Sequence, residues 1–179
     1  MNSLERAEKI GISGFLHPVE LEMLVDLACG KDVLEIGSFK GLSSWAMATV
    51  AKSLTCIDTW KSNSAGQTQM PEFTTLDDFN KAISRFTNVT QLIGTSEQWA
   101  KSVEPDRTAD MIFLDAMHTY EDVKADIQRW WPKLRMGGTL VMHDYRHADF
   151  PGVEKAADEI FGPAPEGTTL VTLRWIAKG

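Results

Sequence analysis

A short apolar strand that runs into a glycine turn is the feature that most constrains this chain. Residues 32–36 are typical of a buried strand, Gly37 and Gly41 follow, and a helix is predicted from about Leu42. Glycines in such a turn let the backbone reverse sharply and come close to a ligand. The pattern therefore predicts a strand–helix–strand unit of a parallel α/β sheet.

An acidic residue extends this pattern. Asp58 stands 21 residues after Gly37, at the end of the next predicted strand. A carboxylate in that place can accept hydrogen bonds from the two ribose hydroxyls of a nucleoside-containing ligand. The alternative is a tight turn beside a solvated carboxylate, but the strand, the glycines, the helix and the acid together favour the nucleoside site.

Glu35 helps to choose between nucleoside ligands. The dinucleotide fingerprint is G-x-G-x-x-G, whereas the loop from Gly37 to Gly41 has the spacing G-x-x-x-G. A carboxylate just before the turn would repel a pyrophosphate, which prefers an unopposed helix N-terminus. S-adenosylmethionine (SAM) carries an ammonium and a sulfonium group and no phosphate. The residues thus favour SAM over NAD.

Strand and helix patterns alternate along the rest of the chain, which predicts a mainly parallel sheet with helices on both faces. The length of 179 residues suits one domain spanning 1–179. Strands are predicted at 32–36, 54–57, 89–93, 111–114, 139–142 and 169–177, and helices at 18–29, 42–52, 76–86, 95–103, 119–134 and after 152. Residues 61–75 form the longest predicted loop, and loops of this length are often functional.

Net charge and cysteine spacing argue against several classes of partner and site. The formal net charge of -7 argues against a nucleic-acid or anionic-membrane surface. Cys29 and Cys56 form no C-x-x-C pair, so a disulfide framework or zinc site is not expected. Residues 1–10 carry no signal-peptide core and no apolar run is long enough to span a bilayer, which predicts a cytoplasmic protein. The expected partner is a small-molecule acceptor. The oligomeric state is not encoded in any pattern.

Three segments carry a resemblance to a known family. Residues 35–44 resemble the first motif of class I SAM-dependent methyltransferases, and residues 110–120 and 137–145 resemble the fourth and fifth strands of one subgroup. That subgroup is similar to the caffeoyl-CoA and catechol O-methyltransferases and to the macrocin-type sugar O-methyltransferases. The resemblance implies a Rossmann-like methyltransferase fold of about seven strands with an antiparallel last strand. It also implies O-methylation of a small hydroxylated acceptor, a phenol or a sugar.

The same resemblance implies roles for single residues around SAM. They are Glu35, Gly37 and Ser38 for the methionine part, with Gly41 closing the same loop; Asp58 for the ribose; Thr59 and Trp60 beside the adenine; Gly94, Thr95 and Ser96 at the adenine edge; and Asp115 under the reacting centre.

Asp115 and Asp144 form a candidate metal site. They follow two strands that should be neighbours, and hard cations such as Mg²⁺ prefer oxygen ligands. The chain departs from the subgroup in two places. Ala116 stands where a glycine is usual, and Tyr145, preceded by the pair His143-Asp144, stands where the catechol-type enzymes have an asparagine ligand.

Two histidines offer a metal-free alternative. His118 or His143 could remove the acceptor proton directly, because the unperturbed pKa of histidine lies near neutrality. The competing interpretations are that His118 caps the helix starting near Thr119 and that His143 is a buried, hydrogen-bonded residue. His17 and His147 stand in no motif, so structural roles are preferred for both.

Several alternatives stay open at this point. The apolar segment Gly11–Leu16 is either a flap over the cleft or a simple linker to the first predicted helix. The acceptor atom is oxygen or nitrogen, because the cofactor motifs do not encode the nucleophile. An NAD-linked oxidoreductase is disfavoured by Glu35 and the missing middle glycine. A SAM-binding protein without catalysis is the remaining possibility, because a fold alone does not prove activity.

Overall fold

The computed structural model describes residues 1–61, 75–103 and 109–179. The helices are α1 (Ser3–Lys9), α2 (Pro18–Ala28), α3 (Leu42–Ala48), α4 (Leu76–Ile83), α5 (Ser96–Ala100), α6 (Tyr120–Trp130) and α7 (Pro151–Phe161), with a 3-10 turn at Trp131–Lys133. The strands are β1 (Asp32–Ile36), β2 (Ser53–Asp58), β3 (Val89–Ile93), β4 (Ala109–Leu114), β5 (Leu134–Met142), β6 (Thr169–Leu170) and β7 (Leu173–Ala177).

The seven strands of the described chain form one sheet in the order β3-β2-β1-β4-β5-β7-β6. Strands β1 to β5 are parallel to their neighbours, β7 runs antiparallel to β5, and β6 runs antiparallel to β7. The prediction of about seven mostly parallel strands with an antiparallel last strand is confirmed. The strand order reverses between β1 and β4, and open parallel sheets bind ligands at the carboxyl ends of the strands at such a point.

Successive side chains of the central strands feed two cores. Val33 packs into the core beneath α1 to α4, whereas Leu34 packs into the core beneath α5 to α7. Met111 and Ile112 divide between the two cores in the same way. Alternation with a period of two buries both faces of the sheet at β1 and β4, and apolar residues therefore predominate in these two central strands.

Strand β5 is longer than predicted, because Gly137 and Gly138 lie inside it rather than before it. Gly137 has a φ of +77°, and a Cβ on Gly138 would lie 2.9 Å from the carbonyl oxygen of Asp110. The pairing of β4 with β5 shifts register there. The glycines thus form a bulge within the strand, which local sequence cannot distinguish from a break before it.

The two ends of the chain also differ from the sequence prediction. The C-terminal segment predicted as one strand is the hairpin β6–β7, with Val171 at φ +52° in its turn. Helix α1 was not predicted, although Asn2 and Glu5 form a reciprocal capping box at its start. Most of the long predicted loop, residues 62–74, lies outside the described residues. Within the described ranges, no helix combines the length and apolarity needed to cross a bilayer.

The segment Gly11–Leu16 is packed on the protein. Ile12 and Leu16 are buried, and a Cβ on Gly14 would lie 2.7 Å from the Cβ of Leu42 at the start of α3. Phe15 points outward with 86% exposure. The segment is therefore an anchored connection that leads along α3 into α2.

Candidate active site

The turn after β1 lies directly against the turn after β4. Gly37 has a φ of +88°, and a Cβ there would lie 2.2 Å from the carbonyl oxygen of Asp115. The amide of Asp115 donates a hydrogen bond to the carbonyl of Ile36 at 2.8 Å. In this structure Gly37 is therefore required by the close approach of two backbones, whereas the sequence suggested the close approach of a ligand.

Glu35 stabilises the same turn through hydrogen bonds of its buried carboxylate. Its side chain is fully buried and accepts hydrogen bonds from the hydroxyls of Ser38 at 2.7 Å, Ser43 at 2.5 Å and Ser44. Burial raises the pKa of Glu35, and the three hydroxyls oppose that shift. The carboxylate thus ties the loop to the first turn of α3. Direct contact between Glu35 and the methionine part of SAM stays a prediction.

Asp58 shapes the upper part of the loop. Its Oδ2 accepts from the amides of Ser38 at 2.8 Å and Phe39 at 2.9 Å, and its Oδ1 accepts from the amide of Trp60 at 2.7 Å. A carboxylate has about four acceptor sites, so Asp58 retains capacity for a ribose hydroxyl. The structure brings Asp58 to the glycine turn, as the spacing predicted.

The two residues after Asp58 differ in their surroundings. Thr59 is partly exposed, and its Oγ1 donates to the backbone carbonyl of Lys61 at 3.3 Å. Trp60 is only 1% exposed and packs against Phe79, with ring centroids 4.5 Å apart. The indole of Trp60 therefore belongs to the core beneath α4, and Thr59 remains the candidate beside the adenine.

The hydroxyls after β3 are already engaged. Thr95 is the N-cap of α5, and its side chain accepts from the amide of Gln98 at 3.2 Å. Ser96 donates to the buried carboxylate of Asp126 and accepts from Nε1 of Trp130 at 2.8 Å. Both residues lie just past the carboxyl end of β3, as predicted. The backbone amide of Thr95 also donates to Oε1 of Gln98 at 2.9 Å, and a contact with the adenine edge stays a prediction.

Three side chains converge at the carboxyl ends of β4 and β5. Nε2 of His118 lies 2.9 Å from Oδ2 of Asp144 and 3.6 Å from Oδ1 of Asp115. One ligand atom from each of the three residues lies within 4.8 Å of the other two. The side chains of Asp115 and His118 are partly exposed, and that of Asp144 is almost buried. We call Asp115, His118 and Asp144 the Asp-His-Asp cluster. Sequence reasoning named two of its members as metal ligands and treated His118 as a base.

The backbone after β5 aims Asp144 into the cluster. Asp144 has a φ of +58°, which non-glycine residues seldom adopt. On one side the amide of His143 donates to the carbonyl of Leu114 at 3.1 Å, and on the other the amide of Tyr145 donates to the carbonyl of Thr172 at 2.9 Å. Tyr145 is therefore a buried anchor beside Asp144 in the described structure.

The imidazole ring of His118 is held in place by an aromatic contact. Its imidazole stacks on Phe150, with centroids 4.3 Å apart. Thr119, rather than His118, caps α6 by accepting from the amide of Asp122 at 3.2 Å. Burial would lower the pKa of His118, but the carboxylates of Asp115 and Asp144 outweigh it and raise the pKa to about 9.

His143 is buried, with carboxylates at both ring nitrogens. Nδ1 lies 3.2 Å from Asp144 and 3.4 Å from Asp115, and Nε2 lies 3.4 Å from Glu20. Burial would lower the pKa of His143, but these carboxylates raise it to about 12. Of the two interpretations of His143, the structure supports a buried, hydrogen-bonded residue. Glu20, at the start of α2, carried no motif that sequence reasoning could use.

The sheet order and the glycine turn after β1 define a Rossmann-like fold, and the acid after β2 stands where such folds hold the ribose of a nucleoside-containing ligand. Residues 34–145 match a family described as a methyltransferase domain, and the chain belongs to that family.

One curated relative and three solved structures place the chain further. The relative, the Sinorhizobium fredii protein named "Uncharacterized protein y4gI", is 28% identical over 119 residues, which cover 63% of this chain and only 13% of that protein. A Corynebacterium glutamicum protein matches with a TM-score of 0.69 and 19% identity, covering 99% of this chain and 88% of that one. The O-methyltransferase NovP matches with a TM-score of 0.64 and 18% identity, covering 89% of this chain and 79% of that one. A Bacillus cereus O-methyltransferase in complex with SAH matches with a TM-score of 0.62 and 17% identity, covering 88% of this chain and 76% of that one. At these identities the structures show the shared fold.

Proposed function

We propose that this methyltransferase transfers the methyl group of SAM to an oxygen of a small hydroxylated acceptor, a phenol or a sugar, with a divalent cation held by the Asp-His-Asp cluster. The observation that carries the proposal is the convergence of Asp115, His118 and Asp144 beside the glycine turn. Parallel α/β sheets bind their ligands at this edge.

The proposed SAM-binding residues lie at or just after the carboxyl ends of β1 and β2. The loop from Gly37 to Gly41 and the carboxylate of Asp58 are the proposed contacts to the methionine and ribose parts. Because Asp115 touches Gly37 through its backbone, the cluster lies next to the loop that would hold the methionine part. This adjacency supports a methyl donor and an acceptor that meet at the cluster.

The donor set of the cluster fits a divalent cation. Two carboxylates and an imidazole face one another with ligand atoms no more than 4.8 Å apart. A small inward movement would bring them to the separation of about 3 Å that ligands of a single small cation have. Nε2 of His118 is buried and, among the described residues, finds no hydrogen-bond partner of acceptable geometry. Its 2.9 Å separation from Oδ2 of Asp144 is that of an ion pair when the ring is protonated. A divalent cation bound by the neutral ring would take the place of that proton between the imidazole and the carboxylates.

The imidazole changes the expected metal. The two carboxylates alone suggested Mg²⁺, which prefers oxygen ligands. Nitrogen ligands favour first-row transition metals, and Mn²⁺ accepts both carboxylate and imidazole. We therefore propose Mn²⁺ ahead of Mg²⁺ at the Asp-His-Asp cluster.

The transfer itself forms one carbon–oxygen bond. The hydroxyl proton of the acceptor passes to water, the acceptor oxygen attacks the methyl carbon, and the carbon–sulfur bond breaks so that the sulfonium becomes the neutral sulfur of SAH. A bound divalent cation would stabilise the developing oxyanion and orient it. The residues around the cluster would align the acceptor with the methyl group, since a displacement needs an in-line approach. The cavity beside the cluster, lined by Ala116, Val123 and Val153 among others, has a volume of about 20 Å³, which holds a water molecule and is too small for the acceptor.

The second candidate mechanism uses a histidine base without a metal. His143 is a weak candidate, because its ring is 7% exposed and both nitrogens face carboxylates. His118 is more accessible, since its side chain is 29% exposed, but its pKa of about 9 keeps it protonated at neutral pH, so it would act as a base only in alkaline solution. This mechanism would make turnover independent of any divalent ion.

Methyl transfer to a panel of catechols and sugars distinguishes the two mechanisms. The proposal expects turnover to fall to background in EDTA and to return with Mn²⁺, and less fully with Mg²⁺. Undiminished turnover in EDTA would exclude the metal and favour His118 as the base. Parallel calorimetry with SAM, SAH and NAD establishes the cofactor independently of the acceptor.

A further inference from the structure

Glu20 is a buried carboxylate that the methyl-transfer scheme above does not use. It lies in the first turn of α2 and is 1% exposed. Removing a carboxylate from water this completely is costly unless every oxygen finds a partner. The partners of Glu20 therefore show what its burial achieves.

Both oxygens of Glu20 are occupied. Oε1 accepts from the amide of Thr172 at 2.6 Å and from its hydroxyl at 2.7 Å. Oε2 accepts from the amide of His17 at 3.0 Å and lies 3.4 Å from Nε2 of His143. The carboxylate thus joins the start of α2, the β6–β7 turn and the ring of His143.

His143 connects Glu20 to the proposed metal site. Its other nitrogen, Nδ1, lies 3.2 Å from Oδ2 of Asp144 and 3.4 Å from Oδ1 of Asp115. These are the two oxygens that the Asp-His-Asp cluster presents to His118. A single buried ring therefore touches both carboxylate ligands and is itself oriented by Glu20.

We propose that Glu20 is a positioning residue, which fixes the ring of His143 and through it the orientation of Asp115 and Asp144 toward a divalent cation. This inference rests on the metal site of the proposed function. Groups behind the ligands of a metal site commonly set ligand orientation, and their loss weakens metal affinity roughly 10–100-fold. The competing explanation is that Glu20 only caps α2 and holds the β6–β7 turn.

The test compares Mn²⁺ binding in the intact protein and in Glu20→Gln. Glutamine keeps the shape of the side chain and one carbonyl oxygen for Thr172, but it offers His143 no carboxylate. Glu22→Gln is the matched control, because Glu22 lies on the same helix and accepts from the amide of Ser3 instead. Free Mn²⁺ is counted by its EPR signal, and SAM affinity is measured by calorimetry.

We expect Glu20→Gln to weaken Mn²⁺ binding at least about 10-fold while SAM affinity stays within about 2-fold. Glu22→Gln should bind Mn²⁺ like the parent. An unchanged Mn²⁺ affinity in Glu20→Gln overturns the inference and leaves Glu20 with the capping role alone. If Glu20→Gln does not fold, His143→Gln breaks the same relay from its other end and must show the same loss. A parent protein that binds no Mn²⁺ overturns the proposed metal site itself, which is a different result from a parent that binds and a variant that binds equally well.

Discussion

Nε2 of His118 lies 2.9 Å from Oδ2 of Asp144, although no directed hydrogen bond joins them within the described structure. The two residues follow different strands, β4 and β5, and meet because those strands are parallel neighbours. The separation is that of an ion pair when His118 is protonated, and it also suits two ligands of one ion when the ring is neutral. The relationship makes the Asp-His-Asp cluster the most informative target for mutation.

Asp144→Asn should separate metal binding from SAM binding. The substitution removes one negative charge and one strong oxygen ligand, so the Mn²⁺ dissociation constant should rise at least about 10-fold while SAM affinity changes little. Asp149→Asn is the control, because it is the same substitution at an exposed position of the same loop. Titration with Mn²⁺ followed by EPR measures both. Equal Mn²⁺ affinity in the two variants would contradict the assignment of Asp144 as a ligand.

Asp58→Ala should weaken SAM binding by ~1–3 kcal/mol, since the ribose hydroxyls lose their acceptor. The variant also frees the amides of Ser38 and Phe39, so the loop that surrounds the methionine part loses its anchor. Calorimetric titration with SAM measures the change. Asp77→Ala, at an exposed position on α4, serves as the control. Parent-like SAM affinity in Asp58→Ala would remove Asp58 from the cofactor site.

Gly37→Ala should destabilise the protein more than Gly30→Ala. Both glycines have a positive φ, +88° and +70°, so both substitutions incur the left-handed cost of ~1–2 kcal/mol. A Cβ on Gly30 meets nothing within 4 Å, whereas a Cβ on Gly37 would lie 2.2 Å from the carbonyl oxygen of Asp115. The clash should add another ~1–3 kcal/mol. Urea unfolding of the two variants measures the difference, and equal free energies of unfolding would show that the turn relaxes freely.

Asp32 should make the stability of the fold depend on pH in acid. Its carboxylate accepts from Ser53 at 2.7 Å and Lys52 at 2.9 Å and also lies 3.3 Å from Arg135, and these contacts lower the pKa of Asp32 to about 2. A lowered pKa stabilises the folded state above the unfolded pKa of about 3.9, and that stabilisation is lost as the pH falls from about 4 through about 2.

Asp32→Asn removes this titration, so its free energy of unfolding should fall less steeply than that of the parent between pH 4 and pH 2, roughly the range of the two pKa values. Urea denaturation at fixed pH steps provides the two curves. If the curves run parallel over this range, the contacts of Asp32 do not contribute to acid stability.

The site was predictable from sequence to the extent that its chemistry is local. Asp58 and Asp115 end strands whose apolar runs are visible in the chain, so their place at the carboxyl edge follows from the parallel sheet. The role of His118 was not predictable in the same way. Its separation from Asp144 depends on β4 and β5 pairing in register and on the stacking against Phe150, and neither feature leaves a local pattern.

Glu20 shows the same limit more strongly. In the sequence it reads as a first-turn acid of an amphipathic helix, which would ordinarily face solvent. Its burial against Thr172, 152 residues away, follows from where α2 crosses the end of the sheet. The bulge at Gly137 and Gly138 is similar, because its existence depends on the backbone of Asp110 in the neighbouring strand.

The sequence by itself determined the strand–helix alternation, the glycine turn after β1 and the start of α6 at Thr119, because periodicity, turn chemistry and capping act between residues close in the chain. Tertiary structure alone decided that Glu35 is enclosed by serine hydroxyls and that Glu20 reaches His143. Those contacts arise where separate elements pack together, and packing geometry is a property of the assembled sheet and helices rather than of any segment.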